Sequence, residues 1–119
     1  MPKEYARSER VAQMVIRHLA IILRNEVNDP RVSNLTITDV EVTKDLRQAK
    51  VFVTSMNDQD LDIQNTMQAV EKANGFLRRA LAQVIDMRHC PNLLFVYDNS
   101  ISEGARMSAL IDKALNTEN

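Results

Sequence analysis

The sequence predicts an α+β protein in which helices cover one face of a small three-stranded sheet. Residues 8–27 and 63–85 repeat apolar residues at helical spacing. Residues 35–56 show the alternation typical of two strands, and residues 93–97 form a short apolar run typical of a third. The predicted order is helix, strand, strand, helix, kink, helix, strand and a short C-terminal helix.

The composition is that of one globular domain. The chain has 119 residues, of which 45% are hydrophobic and 26% charged, with a formal net charge of −1. We interpret residues 1–119 as a single domain, with a core over about 7–98 and a C-terminal helix and tail over 99–119. The chain has one cysteine and no apolar segment of membrane-spanning length, so we expect a cytoplasmic protein without a membrane partner.

The first helix is predicted to begin at Ser8 as its N-cap and to end near Asn25 or Val27. Residues 28–30, Asn-Asp-Pro, stop it, because the residue before a proline avoids the helical region. Its buried stripe comprises Val11, Val15, Leu19, Ile22 and Leu23. Arg10, Arg17 and Arg24 are seven residues apart and line up on the opposite face, either as a solvated stripe or as a basic surface.

The first strand, residues 35–42, changes phase at Asp39, which predicts a β-bulge. Residues 43–48 form a turn, and residues 49–56 form the second strand of an antiparallel hairpin. Residues 57–60 are a polar loop, with Asp60 as a candidate N-cap for the next helix.

Residues 73–75, Ala-Asn-Gly, interrupt the longest helical pattern. Glycine costs about 1 kcal/mol relative to alanine inside a helix, and both Asn and Gly tolerate left-handed backbone angles. The sequence therefore predicts two helices that meet at a kink, with a positive φ or a helix cap at Gly75. Lys72, Arg78 and Arg79 flank the kink and point away from the apolar face. The kink is either a plain turn between helices or, as the rest of the chain favours, a phosphate-binding corner.

The third strand follows Pro91, and a capping box at Ser100 and Glu103 predicts the C-terminal helix. Its apolar stripe comprises Met107, Leu110, Ile111 and Ala114.

The sequence lacks the usual signatures of catalysis and metal binding. Two glycines cannot build a glycine-rich phosphate loop. Asp58, Asp60 and Asp62 imitate a calcium loop, but Ile63 stands where its glycine is required. His89 and Cys90 are adjacent, so an extended backbone would point them to opposite sides. We expect a binding protein rather than an enzyme, with no cofactor and no metal.

Four segments together resemble the ribosome-binding factor A family: residues 28–31 (NDPR), 40–46 (VEVTKDL), 73–78 (ANGFLR) and 91–100 (PNLLFVYDNS). The resemblance extends from Arg7 to Leu110. It implies a type II KH-like fold in which an Ala-x-Gly kink replaces the Gly-x-x-Gly loop of ordinary KH domains. It also implies a protein that binds the free small ribosomal subunit and its ribosomal RNA and supports late maturation of that RNA, notably in the cold. We expect the chain to be a monomer.

On this hypothesis, basic side chains and the exposed backbone at the kink contact RNA phosphates. The predicted RNA-binding residues are Arg10, Arg17, Arg24, Lys72, Asn74, Gly75, Arg78, Arg79 and Arg88. One alternative is a protein-interaction module of the same fold without RNA contact. A second is a hydrolase that uses His89 or Cys90.

Overall fold

A computed structural model describes residues 3–55 and 62–98. The elements follow one another as α1 (Lys3–Glu26), α2 (Pro30–Ser33), β1 (Thr36–Val42), β2 (Gln48–Thr54), α3 (Ile63–Val84) and β3 (Asn92–Tyr97). The predicted α+β class and three-stranded sheet are confirmed. The element order differs from the predicted one in two places, because a short helix follows α1 and a single helix precedes β3. The predicted C-terminal helix, and Asp58 and Asp60, lie outside the described residues.

The sheet has the strand order β1-β2-β3, with β1 antiparallel and β3 parallel to β2. The register between β1 and β2 shifts between Ile37 and Asp39, which confirms the predicted bulge. One face of the sheet is buried against α1 and α3, whereas Glu41, Lys50 and Leu94 on the other face are exposed. The buried strand residues are Val40, Ala49, Val51, Val53, Leu93 and Phe95.

The long helix α1 carries the predicted apolar stripe. Val11, Val15, Leu19, Ile22 and Leu23 are all buried. The helix begins at Lys3, so Ser8 lies inside it and the predicted N-cap is wrong. Residues before Ser8 include good helix formers such as Lys, Glu and Ala, which allow the helix to extend toward the N-terminus.

The short helix α2 was not predicted. Asp29 caps it: its carboxylate accepts a hydrogen bond from the Arg31 backbone N–H at 3.0 Å and forms a salt bridge with the Arg31 guanidinium at 2.8 Å. Pro30 occupies a first-turn position that needs no N–H donor. The Asn-Asp-Pro sequence therefore ends one helix and starts another, and it places Val32 in the core.

Helix α3 is continuous from Ile63 to Val84, so the predicted kink between two helices is wrong. Gly75 has no positive φ and caps no helix. Val70, Leu77 and Leu81 are buried on both sides of the glycine. This tertiary packing outweighs the roughly 1 kcal/mol cost of an internal glycine.

The N-cap of α3 is Asp62, whose carboxylate accepts from the Asn65 backbone N–H at 3.1 Å. The prediction of Asp60 as the cap is therefore wrong by two residues. No helix in the described ranges combines the length and apolar character needed to cross a membrane.

Candidate nucleic-acid interface

Three segments that are distant in the sequence converge around an open groove of about 770 Å³. They are the start of α1, the β1–β2 loop and the α3–β3 loop. We call this surface the basic groove. Its charged lining residues are Arg7, Arg10, Arg47, Arg78, Arg88, Asp45 and Asp86, together with His89.

The basic groove is strongly cationic on a chain that is slightly acidic. Its five arginines and two aspartates give a formal charge of +3, whereas the whole chain carries −1. The Asp29–Arg31 pair is the one salt bridge between described residues, so none of the groove arginines forms a salt bridge with a described carboxylate. The Arg47 charge nevertheless acts on Asp45 and, after the hydrogen bonds from Thr43 and from the Arg47 N–H, contributes to lowering its pKa. A concave surface with unpaired cations attracts and concentrates anions.

The β1–β2 loop is held in one conformation by its own polar groups. The Asp45 carboxylate accepts hydrogen bonds from the Thr43 hydroxyl at 2.6 Å and from the Arg47 backbone N–H at 3.0 Å. The Thr43 hydroxyl and then the Arg47 N–H lower the pKa of Asp45. The Arg47 carbonyl in turn accepts from the Asn92 N–H at 2.8 Å, which fastens the loop to β3.

Leu46, in the same loop, has a φ of 62°, and it is the one non-glycine residue with a positive φ in the described ranges. Its side chain packs against the core. A left-handed leucine is strained, and such strain persists where surrounding contacts fix the backbone. The loop therefore presents Arg47 to the groove from a rigid support.

Arg78 lines the groove and also holds the adjoining α3–β3 loop in place. Its guanidinium donates to the carbonyl oxygens of Cys90 at 2.9 Å and Pro91 at 3.3 Å. The Cys90 thiol donates back to the Arg78 carbonyl at 3.8 Å. These contacts hold the α3–β3 loop that carries Arg88 and His89.

Asn74, one turn before Arg78, also serves the internal structure. Its side-chain amide donates to the Leu93 carbonyl at 3.0 Å and is half-buried. Asn74 and Arg78 thus attach α3 to the beginning of β3. Sequence reasoning assigned both side chains to RNA. In the structure each also donates to backbone carbonyls, and the Arg78 guanidinium keeps N–H groups that these bonds do not use.

The other predicted RNA-binding residues fall on three surfaces. Arg10 and Arg88 line the basic groove. Arg17 and Arg24 are exposed farther along α1 and do not line it. Lys72, Gly75 and Arg79 are exposed on α3, also outside the groove.

Arg7, Arg47 and His89 line the groove and were missed. Arg7 precedes Arg10 by three residues, so a longer first helix would have placed both on one face. Arg47 and His89 lie in loops, whose positions depend on the hairpin and on the α3–β3 connection. No local pattern in the sequence indicates that they meet.

The adjacent His89 and Cys90 are not hydrogen-bonded to each other in the structure, and the Cys90 thiol contacts the Arg78 carbonyl. Burial raises the pKa of the Cys90 thiol, and the nearby Arg78 charge offsets this only in part. This shift favours the neutral thiol, whereas a nucleophilic cysteine requires a thiolate. Among the described residues, no three His, Cys, Asp or Glu side chains are close enough together to hold a metal ion.

The fold and the groove define a small KH-like domain with a cationic surface suited to a polyanion. A family model described as Ribosome-binding factor A matches residues 7–111. The chain belongs to the ribosome-binding factor A family, which confirms the resemblance drawn from the four sequence segments.

Individual relatives agree with this assignment. Ribosome-binding factor A of Azoarcus sp. (strain BH72) is 47% identical over 115 residues, which are 97% of this chain and 90% of that protein. The crystal structure of ribosome-binding factor A from Thermus thermophilus matches with a TM-score of 0.67 at 26% identity, over 78% of this chain and 97% of that one.

A second Thermus thermophilus structure is a homology model of ribosome-binding factor A fitted into a cryo-EM map of a 30S complex. It matches with a TM-score of 0.61 at 27% identity, over 74% of this chain and 91% of that one.

Proposed function

We propose that this chain binds the free small ribosomal subunit through phosphates of its ribosomal RNA, with the basic groove as the contact surface. The observation that carries the proposal is the cluster of groove arginines that form no salt bridge with any carboxylate in the described ranges. Phosphate contacts of this kind position a protein on RNA without reading its sequence.

Family membership supports the small subunit as the partner. The Thermus thermophilus relative was fitted into a map of a 30S complex. We extend this partner to the present chain and infer that, as a monomer, it assists late assembly of the subunit and maturation of its RNA. Loss of the protein should then leave unprocessed small-subunit RNA and slow growth in the cold.

The test compares two double charge reversals of equal size. Arg47→Glu with Arg88→Glu changes the groove, whereas Arg17→Glu with Arg24→Glu changes exposed arginines on α1 that lie outside it. Neither pair includes Arg78, whose guanidinium holds the α3–β3 loop. Co-sedimentation with free small subunits is measured for wild type and both variants across a salt series.

We expect the groove variant to lose at least tenfold more affinity than the α1 variant. Wild-type binding should weaken steeply with salt, because each phosphate contact releases bound counterions. A larger loss of affinity in the α1 variant would indicate that Arg17 and Arg24, and not the groove, contact the RNA. Salt-insensitive binding that both variants retain would favour the alternative, a protein-interaction module without RNA contact.

A further inference from the structure

The sheet has an open face, opposite α1 and α3, and this face carries three apolar side chains close together. Phe52 on β2 lies beside Val96 on β3, and both are half-buried. Leu94 precedes Val96 by two residues, so it lies on the same face, and it is 53% exposed. We call Phe52, Leu94 and Val96 the sheet strip. Within the described ranges no helix packs on it, although an apolar sheet face normally requires a second layer.

Two charged residues form a rim beside the sheet strip. Lys50 lies beside Leu94 in the register, and Glu41 lies beside Lys50. The Lys50 Nζ atom is 5.9 Å from the centre of the Phe52 ring. A lysine stem can move over apolar surface while its ammonium stays in water. The rim therefore leaves room for a partner, and an apolar strip with a charged rim is typical of a docking surface.

The chain leaves β3 directly beside this open face. The Asp98 backbone N–H donates to the Val53 carbonyl at 2.7 Å, which keeps the chain in the sheet as far as Asp98. Asp98 follows Val96 by two residues, so its side chain lies on the open face. Its carboxylate accepts from the Thr38 hydroxyl on β1 at 2.7 Å, over the intervening strand β2. Residues 99–119 therefore start from a fixed point at the end of the sheet strip.

The sequence of residues 99–119 matches the strip in length and in apolar character. A helix over residues 101–115 would be about 22 Å long, close to the roughly 23 Å of a seven-residue strand such as β2. Its predicted N-cap is Ser100, and its predicted apolar stripe comprises Met107, Leu110, Ile111 and Ala114. Leu94 lies about 13 Å back along β3 from Asp98, and Leu110 would lie about 15 Å along the helix from Ser100. A helix that turns back after β3 therefore brings its stripe over the strip.

Other occupants fit the strip less well. Standard protein interfaces use roughly 20 to 30 residues on each side, and three apolar side chains are too few for a stable dimer. A segment of the same chain is instead held beside the strip at high local concentration. RNA would require an excess of cations, whereas Lys50 is offset by Glu41, which lies beside it in the register.

We propose that residues 101–115 form a helix that packs on the sheet strip, antiparallel to β3, with Leu110 and Ile111 against Leu94. The sheet then has helices on both of its faces, and the apolar strip is removed from water. This inference goes beyond the proposed function and does not require RNA as a ligand.

The first test is disulfide trapping in the full chain with Cys90→Ser, which removes the one native thiol. Leu94→Cys with Leu110→Cys places one thiol on the strip and the other in the predicted helical stripe. Leu94→Cys with Ala109→Cys is the matched control, because Ala109 has almost the same tether length but points about 100° away from Leu110 on a helix. Mild oxidation is followed by non-reducing electrophoresis and by mass mapping of the linked peptides.

We expect the Leu110 pair to form an intramolecular disulfide roughly tenfold faster than the control pair, because a disulfide requires Cα atoms within about 7 Å of each other. Equal rates for the two pairs would mean that only the tether holds the segment near the strip. Disulfides between two chains would mean that a second copy covers the strip. Either of these results overturns the proposal.

The second test is thermal unfolding of single variants. Leu94→Thr keeps a good strand former but removes apolar bulk, and Ile21→Ala makes a comparable change at a 52% exposed position of α1. Because the proposed helix covers Leu94, Leu94→Thr should lower Tm by roughly 4 °C, whereas Ile21→Ala should leave Tm nearly unchanged.

Leu110→Ser should lower Tm by a similar amount. Combining it with Leu94→Thr should lower Tm little further, because side chains in contact do not contribute independently. Melting of Leu94→Thr that coincides with wild type would overturn the proposal. If such a variant also lost affinity for free small subunits in co-sedimentation, the strip would instead be a contact with the subunit.

Discussion

The two flanks of α3 carry similar polar and basic residues with different uses. On the inner flank, Asn74 and Arg78 donate to backbone carbonyls at the start of β3 and in the preceding loop. On the outer flank, Lys72 and Arg79 have no described ion-pair partner and flank the exposed ring of Phe76. Arg78 and Arg79 are consecutive, but successive helical residues point about 100° apart. A basic residue in the sequence therefore cannot be assigned to binding until the direction of its side chain on the helix is known.

The strongest test of this comparison reverses each arginine separately. Arg78→Glu should destabilise the protein by about 2–3 kcal/mol, because it removes two charge-assisted hydrogen bonds and places a carboxylate against carbonyl oxygens. Arg79→Glu should change stability by no more than about 0.5 kcal/mol, as is usual for an exposed position. Urea unfolding measures both. Equal stabilities for the two variants would mean that the Arg78 contacts contribute little.

The second test concerns the other inner contact. Asn74→Ala should cost about 1 kcal/mol, because the Leu93 carbonyl loses its side-chain donor at a half-buried position. Gln83→Ala is the matched control, since Gln83 is exposed on the same helix. Thermal melts of the two variants should differ by several degrees, and coinciding melts would contradict a structural role for Asn74.

A third test replaces the glycine between the two flanks. Gly75→Ala should stabilise the protein by up to about 1 kcal/mol, because Gly75 has no positive φ and a new Cβ meets only Arg79 Nη1 at an ordinary 3.5 Å. Ala82→Gly, at an exposed position of the same helix, should lose a similar amount. Destabilisation by Gly75→Ala would instead support the kinked backbone at Gly75 that the sequence predicted.

The smallest expected effect concerns the β1–β2 loop beneath the basic groove. The folded-state pKa of Asp45 is lowered from 3.8, so its contribution is present above about pH 3.8 and is lost as the pH falls through the lower folded value. Asp45→Asn should therefore be slightly less stable than wild type at pH 7. The difference should disappear in strong acid, and a difference that persists there would contradict this assignment.

Most of the fold could be predicted because periodicity depends on burial. The stripe of α1, the alternation of Ala49, Val51 and Val53, and the bulge before Asp39 each follow from which side chains leave water. The predicted kink was wrong because it was inferred from local residue preference and not from burial. A local preference of Asn and Gly is small beside the packing of Leu77 and Leu81 in one continuous helix.

The candidate site was harder to predict because it is assembled by loops. Arg10, predicted from helix spacing, and Arg88, predicted from local charge, both line the groove. Arg47 depends on a left-handed Leu46, which residue preferences do not indicate. Arg78 was assigned to phosphate, and the structure shows that two of its N–H groups also donate to carbonyls 12 and 13 residues later. Such long-range partners have no counterpart in a one-dimensional pattern.

The parallel pairing of β2 with β3 has a consequence for how the chain acquires its structure. The β1–β2 hairpin closes over a short turn, whereas β3 joins β2 only after the intervening segment with α3 has been crossed. Local pairs close faster than distant ones, so during synthesis the hairpin should form before β3 leaves the ribosome. Until then, the β2 edge remains open to pairing with another chain. Arg78 and Asn74, which attach α3 to the incoming strand, would then act at the last step of folding.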